Sequence, residues 1–213
     1  IQNRINQLKL EALQSQMNPH FIFNGFNALQ AFILDQKTKP ALNYLTDFAG
    51  LIRKTLDNSR RHRISIEEET DYIRSYIELE KRRMEDLEYH IEISDGIDPV
   101  NTFMPPMLVQ PLIENSIQHG LRHLTEKTGV VQIRFEKYDE KHIRCTVEDN
   151  GIGRNQAKLI NERNNSTYQS KSTSITKERL RLIGNQKGVY MNFTDLDDSD
   201  GSGGTRVELI IPV

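Results

Sequence analysis

Asn115 and His119 stand four residues apart in the run Glu114-Asn115-Ser116-Ile117-Gln118-His119-Gly120. On a helix that spacing puts them on one face. Burying an amide without partners costs about 1–3 kcal/mol, so Asn115 must meet a partner or solvent. Its carbonyl oxygen is a good hard ligand for Mg²⁺, an ion that takes few protein ligands and fills its shell with phosphate oxygens. A solvated polar face accounts for the pair as well. A second candidate is Asp149-Asn150-Gly151-Ile152-Gly153, directly after an alternating apolar run. Two glycines let the backbone turn sharply and approach a ligand, and a carboxylate at a strand end can accept from a purine amino group. An ordinary strand-ending turn has the same composition. The third is Gly201-Ser202-Gly203-Gly204-Thr205, before the last apolar run. Neither a G-x-x-x-x-G-K-[ST] phosphate loop nor a G-x-G-x-x-G dinucleotide turn occurs, so a bound nucleotide is held in another way. His119 and His123 have the spacing of zinc helices, but no third ligand is placed and Gly120 intervenes. Asp197 to Gly201 reads as an acidic turn, since the later Glu of a calcium loop is absent.

Elements must position these groups, and the first third of the chain is helical. Ile1, Ile5, Leu8, Ala12, Ser15, Pro19, Ile22, Phe26, Leu29 and Ile33 recur at alternating steps of four and three, a coiled-coil-like seam weakened at Ser15 and Pro19. After a break from Asp35 to Pro40, a second stripe uses Ala41, Leu45, Phe48 and Ile52, backed by Leu42, Ala49 and Leu56. Two helices with a short connection form an antiparallel hairpin. Apolar residues on so much of its surface predict a four-helix bundle made by two copies, a homodimer. In the seam Pro19 takes a core-type position and His20 the next one, turned outward, with Asn24 a turn further on the same face. An exposed imidazole with a pKa near ~6.5 is mostly neutral at pH 7 and therefore nucleophilic. Pro19 removes a helix hydrogen bond and is expected to bend the helix there.

Ser65 to Glu68 has the Ser-x-x-Glu form of a capping box opening a third helix, with the stripe Ile66, Thr70, Ile73, Ile77 and Met84. From Tyr89 the period changes to two. His90 to Ile93, Val131 to Phe135, Ile143 to Val147, Val189 to Phe193 and Val207 to Ile211 alternate as strands. Helical stretches are expected from Pro106 to Leu121 and from Thr176 to Ile183, and a mobile loop from Asn161 to Ser174. One-sided alternation predicts a sheet with one wet face and helices on the other. The fold class is thus α+β: a helical-hairpin dimerisation arm over residues 1–64, then a two-layer α/β sandwich over residues 65–213.

The composition sets limits. The chain has 213 residues, 36% apolar and 27% charged, with 28 basic and 30 acidic residues for a net charge of −2. That excludes a generally basic nucleic-acid binder and an acidic disordered tail. Arg60 to Arg63 has no aromatic or base-reading companions and reads as a solvated helix end. A single cysteine, Cys145, excludes an intramolecular disulfide and fits a reducing compartment. No apolar run approaches the ~18 residues that span a bilayer. The helical seam begins at Ile1 without a cap or signal-peptide pattern, so the chain is expected to continue from upstream. Any membrane segment would lie there, and this portion would be cytoplasmic.

In combination the three constellations are specific. Their order and context resemble the ATP-binding domain shared by histidine kinases, gyrase, Hsp90 and MutL, from roughly Ile66 to Val213. Leu13-Gln14-Ser15-Gln16-Met17-Asn18-Pro19-His20-Phe21-Ile22-Phe23-Asn24 looks like the phosphoacceptor box of LytS-type sensor histidine kinases. Pro105 to Gly120 is similar to that family's Asn box, so the resemblance spans nearly the whole chain. It implies a Bergerat ATP-binding fold and a kinase that autophosphorylates on His20 with ATP and Mg²⁺. It also implies Asn115 as the Mg²⁺ ligand, Asp149 as the adenine contact, and Gly151 and Gly153 as the turn. Gly203, Gly204 and Thr205 would border the nucleotide, with His119 on the binding face beside Asn115. The phosphoryl group would pass to an Asp of a response-regulator receiver domain, often one with a LytTR-type DNA-binding domain. This fragment itself would touch neither nucleic acid nor membrane. Phe21 rather than an acidic residue follows His20, which leaves Glu114 as the expected base. Ser172-Thr173-Ser174-Ile175 stands where the family's lid commonly has Gly-x-Gly. Two other readings stay open: a nucleotide-binding signalling scaffold, and an ATPase clamp that would have no need of His20.

Overall fold

Phe21, Gly25, Ala28 and Phe32 follow the same alternating steps as the seam, one position before it. This is the stripe by which the first helix packs inward. A computed structural model describes residues 19–84, 86–124, 127–163, 190–196 and 203–213. In it α1 (Pro19–Leu34) and α2 (Thr38–Ser59) form the expected hairpin. Gln36, at φ 56°, closes α1. The Lys37 N–H reaches the Phe32 carbonyl at 2.9 Å and the Gln36 N–H reaches Ile33 at 3.0 Å, the two bonds of a Schellman cap.

The inward stripe of α2 is Ala41, Tyr44, Phe48, Leu51 and Thr55. This corrects the expected phase: Ala41 and Phe48 do face the core, but Leu42, Leu45 and Leu56 are exposed. The helix has two apolar stripes, and a single chain buries only one. The same holds for α1, where Phe26 is 54% and Ile33 61% exposed. Asn24, expected outward, is buried. The seam before Pro19, and any bend there, lies outside the described residues.

Ser65 caps α3 (Ile66–Lys81) as a capping box, its hydroxyl accepting from the Glu68 N–H at 3.1 Å and the Glu68 carboxylate from the Ser65 N–H at 2.9 Å. The helix is buried on most of its circumference, through Ile66, Glu69, Tyr72, Ile73, Tyr76, Ile77 and Glu80. Tyr76 packs on Phe21 at 5.6 Å between ring centroids, while Ile73 and Ile77 join the apolar core beneath the sheet. Hairpin and sheet therefore share one continuous core.

The main sheet runs β2 (Leu87–Ile93), β4 (Gly129–Lys137), β5 (His142–Asp149), β7 (Thr205–Pro212), β6 (Met191–Asp195). Only the β2–β4 pair is parallel. One face is packed by Val131, Ile133, Phe135, Ile143, Cys145, Val147, Val207, Leu209 and Ile211. The other is wet and laced by ion pairs, Arg134–Glu92 at 3.1 Å and Arg206–Glu148 at 2.8 Å. This is the expected mixed sheet with helices on one face. A small second sheet, β1 (Ile64–Ser65) with β3 (Phe103–Met104), was not foreseen.

The Asn-bearing helix departs from expectation. It starts as α4 (Gln110–Asn115), widens to a π-turn over Ser116–Gly120 and tightens to a 3₁₀ turn over Leu121–His123. A further helix, α5 (Gly153–Arg163), extends into the segment expected to be loop from Asn161. The remainder of that loop, the expected helix from Thr176 to Ile183, and Ser172 to Ile175 lie outside the described residues. Among the described residues no helix is long and apolar enough to cross a membrane.

Candidate functional site

β5 ends at Asp149, whose register partner is Thr205, the first residue of β7. The strand ends, the π-turn and the start of α5 enclose a cavity of about 290 Å³. Asp149 forms part of its wall, only 3% exposed. Its Oδ1 accepts the N–H groups of Gly151 at 3.0 Å and Thr205 at 3.3 Å. Burial pushes its carboxyl up from the usual range, against the pull of a hydrogen bond from the Ser116 side chain and those two N–H groups.

The backbone around Asp149 has no room for side chains. A Cβ at Gly204 would lie 1.7 Å from the Asp149 carbonyl oxygen. Gly153 has φ 74° and a Cβ there would meet the Gly203 carbonyl oxygen at 2.4 Å. The Ile152 N–H bonds the Gly120 carbonyl at 3.2 Å, tying the turn to the π-segment. Asn150 is a clamp on the sheet rather than a wall of the cavity. Its Oδ1 accepts from the Val130 N–H at 2.7 Å and its Nδ2 donates to the Thr128 carbonyl at 2.9 Å.

Asn115 and His119 both line the cavity, as their shared face required, together with Asp149, Gly153 and Thr205. Gly151, Gly203 and Gly204 supply the backbone packed against Asp149 and Gly153. Glu114 is turned the other way. It is buried, takes a 2.6 Å hydrogen bond from Gln110 Nε2, and its charge is felt by Tyr72 and Tyr76. One residue along a helix is a rotation of roughly 100°, so the neighbour of Asn115 faces α3 instead of the cavity. His20 stands in the first turn of α1, directly before Phe21.

Several wall residues escaped the sequence reading. Ser116 bonds Asp149, and α5 contributes Arg154 and Lys158, four apart on one face. Arg154 holds Asp195 through two bonds of 2.7 Å and lies 5.4 Å over the Phe193 ring. The cavity thus joins a buried carboxylate, an apolar wall including Leu112 and Val207, a neutral amide, an imidazole and two cations.

Residues 105–213 match the family of histidine kinase-, DNA gyrase B-, and HSP90-like ATPases. The chain belongs to that family. A histidine kinase region matches residues 8–87 in front of the ATPase domain. A histidine kinase region thus stands before an ATPase domain of the kind that binds ATP. The sensor histidine kinase/phosphatase LytS of Staphylococcus aureus strain MRSA252 is 27% identical over 210 residues, covering 98% of this chain and 35% of that protein. LytS of strain Mu50 is 26% identical over the same length. The chain therefore spans about a third of the length of these relatives. The histidine kinase domain of the blue-light activated kinase from Erythrobacter litoralis EL346 shares the fold, with a TM-score of 0.53 at 17% identity, over 97% of this chain and 95% of that one.

Proposed function

We propose that the chain autophosphorylates on His20 with Mg²⁺–ATP bound in the Asp149 cavity, and then passes the phosphoryl group to an aspartate of a response regulator. The observation that carries this reading is the joining of Asp149, Asn115 and His119 in one cavity of a chain with a histidine kinase region before it. Asp149 offers adenine an acceptor beside the bonds it takes from Gly151, Thr205 and Ser116, the apolar wall takes the ring, and Arg154 and Lys158 put positive charge on the wall where phosphates would lie. Among the described residues no three of His, Cys, Asp and Glu gather to hold a metal. The donor set suits an ion held by the Asn115 carbonyl and otherwise by phosphate and water oxygens. Bound Mg²⁺ would supply neutralisation of phosphate charge.

In the transfer, the lone pair of the unprotonated imidazole nitrogen forms the N–P bond. The bond from the γ-phosphorus to the β,γ-bridging oxygen breaks, and ADP leaves with its electron pair. The proton on the other ring nitrogen is then lost to a base. Glu114, bonded to Gln110 and facing α3, is not placed to collect it, and in this arrangement it serves to hold α4. Positioning and charge neutralisation supply most of the catalysis.

The division at residues 64 and 65 belongs to this reading, with the hairpin as phosphoacceptor and dimerisation region. Ile22, Phe26, Leu29 and Ile33 on α1, and Leu42, Leu45, Ile52 and Leu56 on α2, are heptad-spaced stripes that one chain leaves exposed or half-buried. Two copies would cover them as a four-helix bundle. The partner regulator, of LytTR type in this reading, would contact DNA. With its slight negative charge this fragment would not, and it would form the cytoplasmic part of a membrane-anchored protein. Incubation with γ-labelled ATP and Mg²⁺ tests the assignment: wild type should carry acid-labile, base-stable label, and His20→Gln none. Undiminished label in His20→Gln sinks it. A purely scaffolding protein would take no label at all.

A further inference from the structure

α3 carries two buried tyrosines one turn apart, and each touches the phosphoacceptor hairpin on one side and the nucleotide helix on the other. Tyr72 Oη lies 3.1 Å from Thr55 Oγ1 on α2. The single Thr55 hydroxyl hydrogen goes to the Leu51 carbonyl at 2.9 Å, so Tyr72 is the donor of that pair. On its other side the Tyr72 oxygen is met by the Gln110 side chain, whose Nε2 also donates to Glu114 at 2.6 Å. The two bonds run in one direction, from Tyr72 through Thr55 to the backbone of α2, with the Gln110 side chain of α4 beside the Tyr72 oxygen. Glu114, bonded by Gln110, adjoins Asn115.

Tyr76 spans the same gap a turn later. Its ring packs on Phe21 with centroids 5.6 Å apart, and Phe21 adjoins His20. Its hydroxyl is met by the Gln118 side chain on the π-turn, and Gln118 adjoins His119 in the cavity wall. That contact falls short of full hydrogen-bond geometry, since neither Tyr76 Oη nor Gln118 Nε2 has a hydrogen-bond partner among the described residues. Burial raises both tyrosines far above their ordinary range, so they remain neutral donors. A buried hydroxyl is costly unless it bonds; Tyr72 meets that cost at Thr55, and both tyrosines lie where the two functional elements meet through α3.

We propose that Tyr72 and Tyr76 are positioning residues for phosphoryl transfer: through Thr55 and Phe21 on one side, and Gln110 and Gln118 on the other, they hold the nucleotide helix in alignment with the helix that bears His20. The inference rests on the reading of His20 as acceptor and the Asp149 cavity as the ATP site. The hydroxyls touch neither reacting group, so they act on alignment and leave nucleotide affinity alone.

The test uses the full chain and two separate readouts: calorimetric ADP affinity, and the single-turnover rate of label transfer from γ-labelled ATP. Tyr72→Phe removes the donor to Thr55 and Tyr76→Leu the ring against Phe21; both should leave ADP affinity within about two-fold, while the transfer rate falls about ten-fold or more. Thr55→Val and Phe21→Leu, which break the same contacts from the hairpin side, should repeat the pattern and stand in for either tyrosine variant if it misfolds. Combined with Tyr72→Phe, Thr55→Val should add little, because the two share one bond. Wild-type transfer rates in both tyrosine variants overturn the inference, as does a parallel loss of ADP affinity. If wild type takes no label, or His20→Gln keeps it, the underlying reading fails and the inference falls with it. Label lost in His20→Gln but unchanged in the tyrosine variants removes the inference alone.

Discussion

Gly204 and Asp149 are packed backbone to backbone: a methyl group on residue 204 would lie 1.7 Å from the Asp149 carbonyl oxygen. The obstacle is main chain, so no rotamer change relieves it. Gly204→Ala must push β7 away from the strand that carries the carboxylate. We expect a loss of about 3 kcal/mol or more of stability, at the upper end for overpacking. Urea denaturation measures it, and a midpoint equal to wild type contradicts this packing.

Asp149→Asn should keep the fold and weaken ATP binding. Oδ1 is already engaged by the Gly151 and Thr205 N–H groups, and an amide oxygen can take over that part. The amide nitrogen then replaces the second carboxylate oxygen, presenting a donor where an adenine amino group needs an acceptor. The lost contact is worth about 1–3 kcal/mol, or roughly 5- to 150-fold in affinity. Calorimetric titration with ATP reads this directly, and unchanged affinity returns the turn to a purely structural part.

The same substitution should alter the pH dependence of stability. Burial raises the folded-state pKa of Asp149, so between its unfolded and folded values the native state holds the extra proton. Stability then falls as pH rises through that window, and above it the buried charge is a standing cost. An amide carries no such cost. At pH 7 Asp149→Asn should be at least as stable as wild type, an advantage that disappears below the unfolded pKa. Thermal melts at acidic and neutral pH check the sign, and a variant that gains its advantage on acidification refutes it.

Dimerisation should depend on the outward stripes of the hairpin. Phe26→Asp and Leu45→Lys place charges on residues 54% and 42% exposed in the single chain, so the fold of each chain should survive. Light scattering at tens of micromolar (roughly the range where weak interfaces fail) should show a dimer for wild type and a monomer for the double variant. A dimeric double variant rules out these stripes as the interface.

Legibility in the sequence followed periodicity. The strands from Val131, Ile143 and Val207 were plain because one face is packed and the other wet, and the capping box at Ser65 marked α3. Asp149 and Asn115 could be found because close backbone and a shared helix face require certain residue types at fixed spacing. α5 could not: its Ala157 is buried, but most of the helix is polar, and Arg154 and Lys158 went unseen with it. α2 has two apolar stripes, so its sequence leaves the phase open, and only the fold decides which one a single chain buries. Glu114, the expected base, adjoins Asn115 in sequence, but neighbours on a helix diverge by roughly 100°, and periodicity does not say which of the two the fold turns to the cavity. β1 and β3, two residues each, are too short to show a period.

The core that runs unbroken from Phe21 and Phe48 through Tyr76 to Ile133 and Phe135 bears on how the chain melts. A helix buried toward both neighbours leaves no soft seam for heat to open first. In the arrangement described, hairpin and sheet form one cooperative unit, so parting them costs α3 its cover on the hairpin side. Release of the ATP domain from the hairpin is then a local unfolding-like event, drawing on the same small reserve of free energy that keeps the whole chain folded.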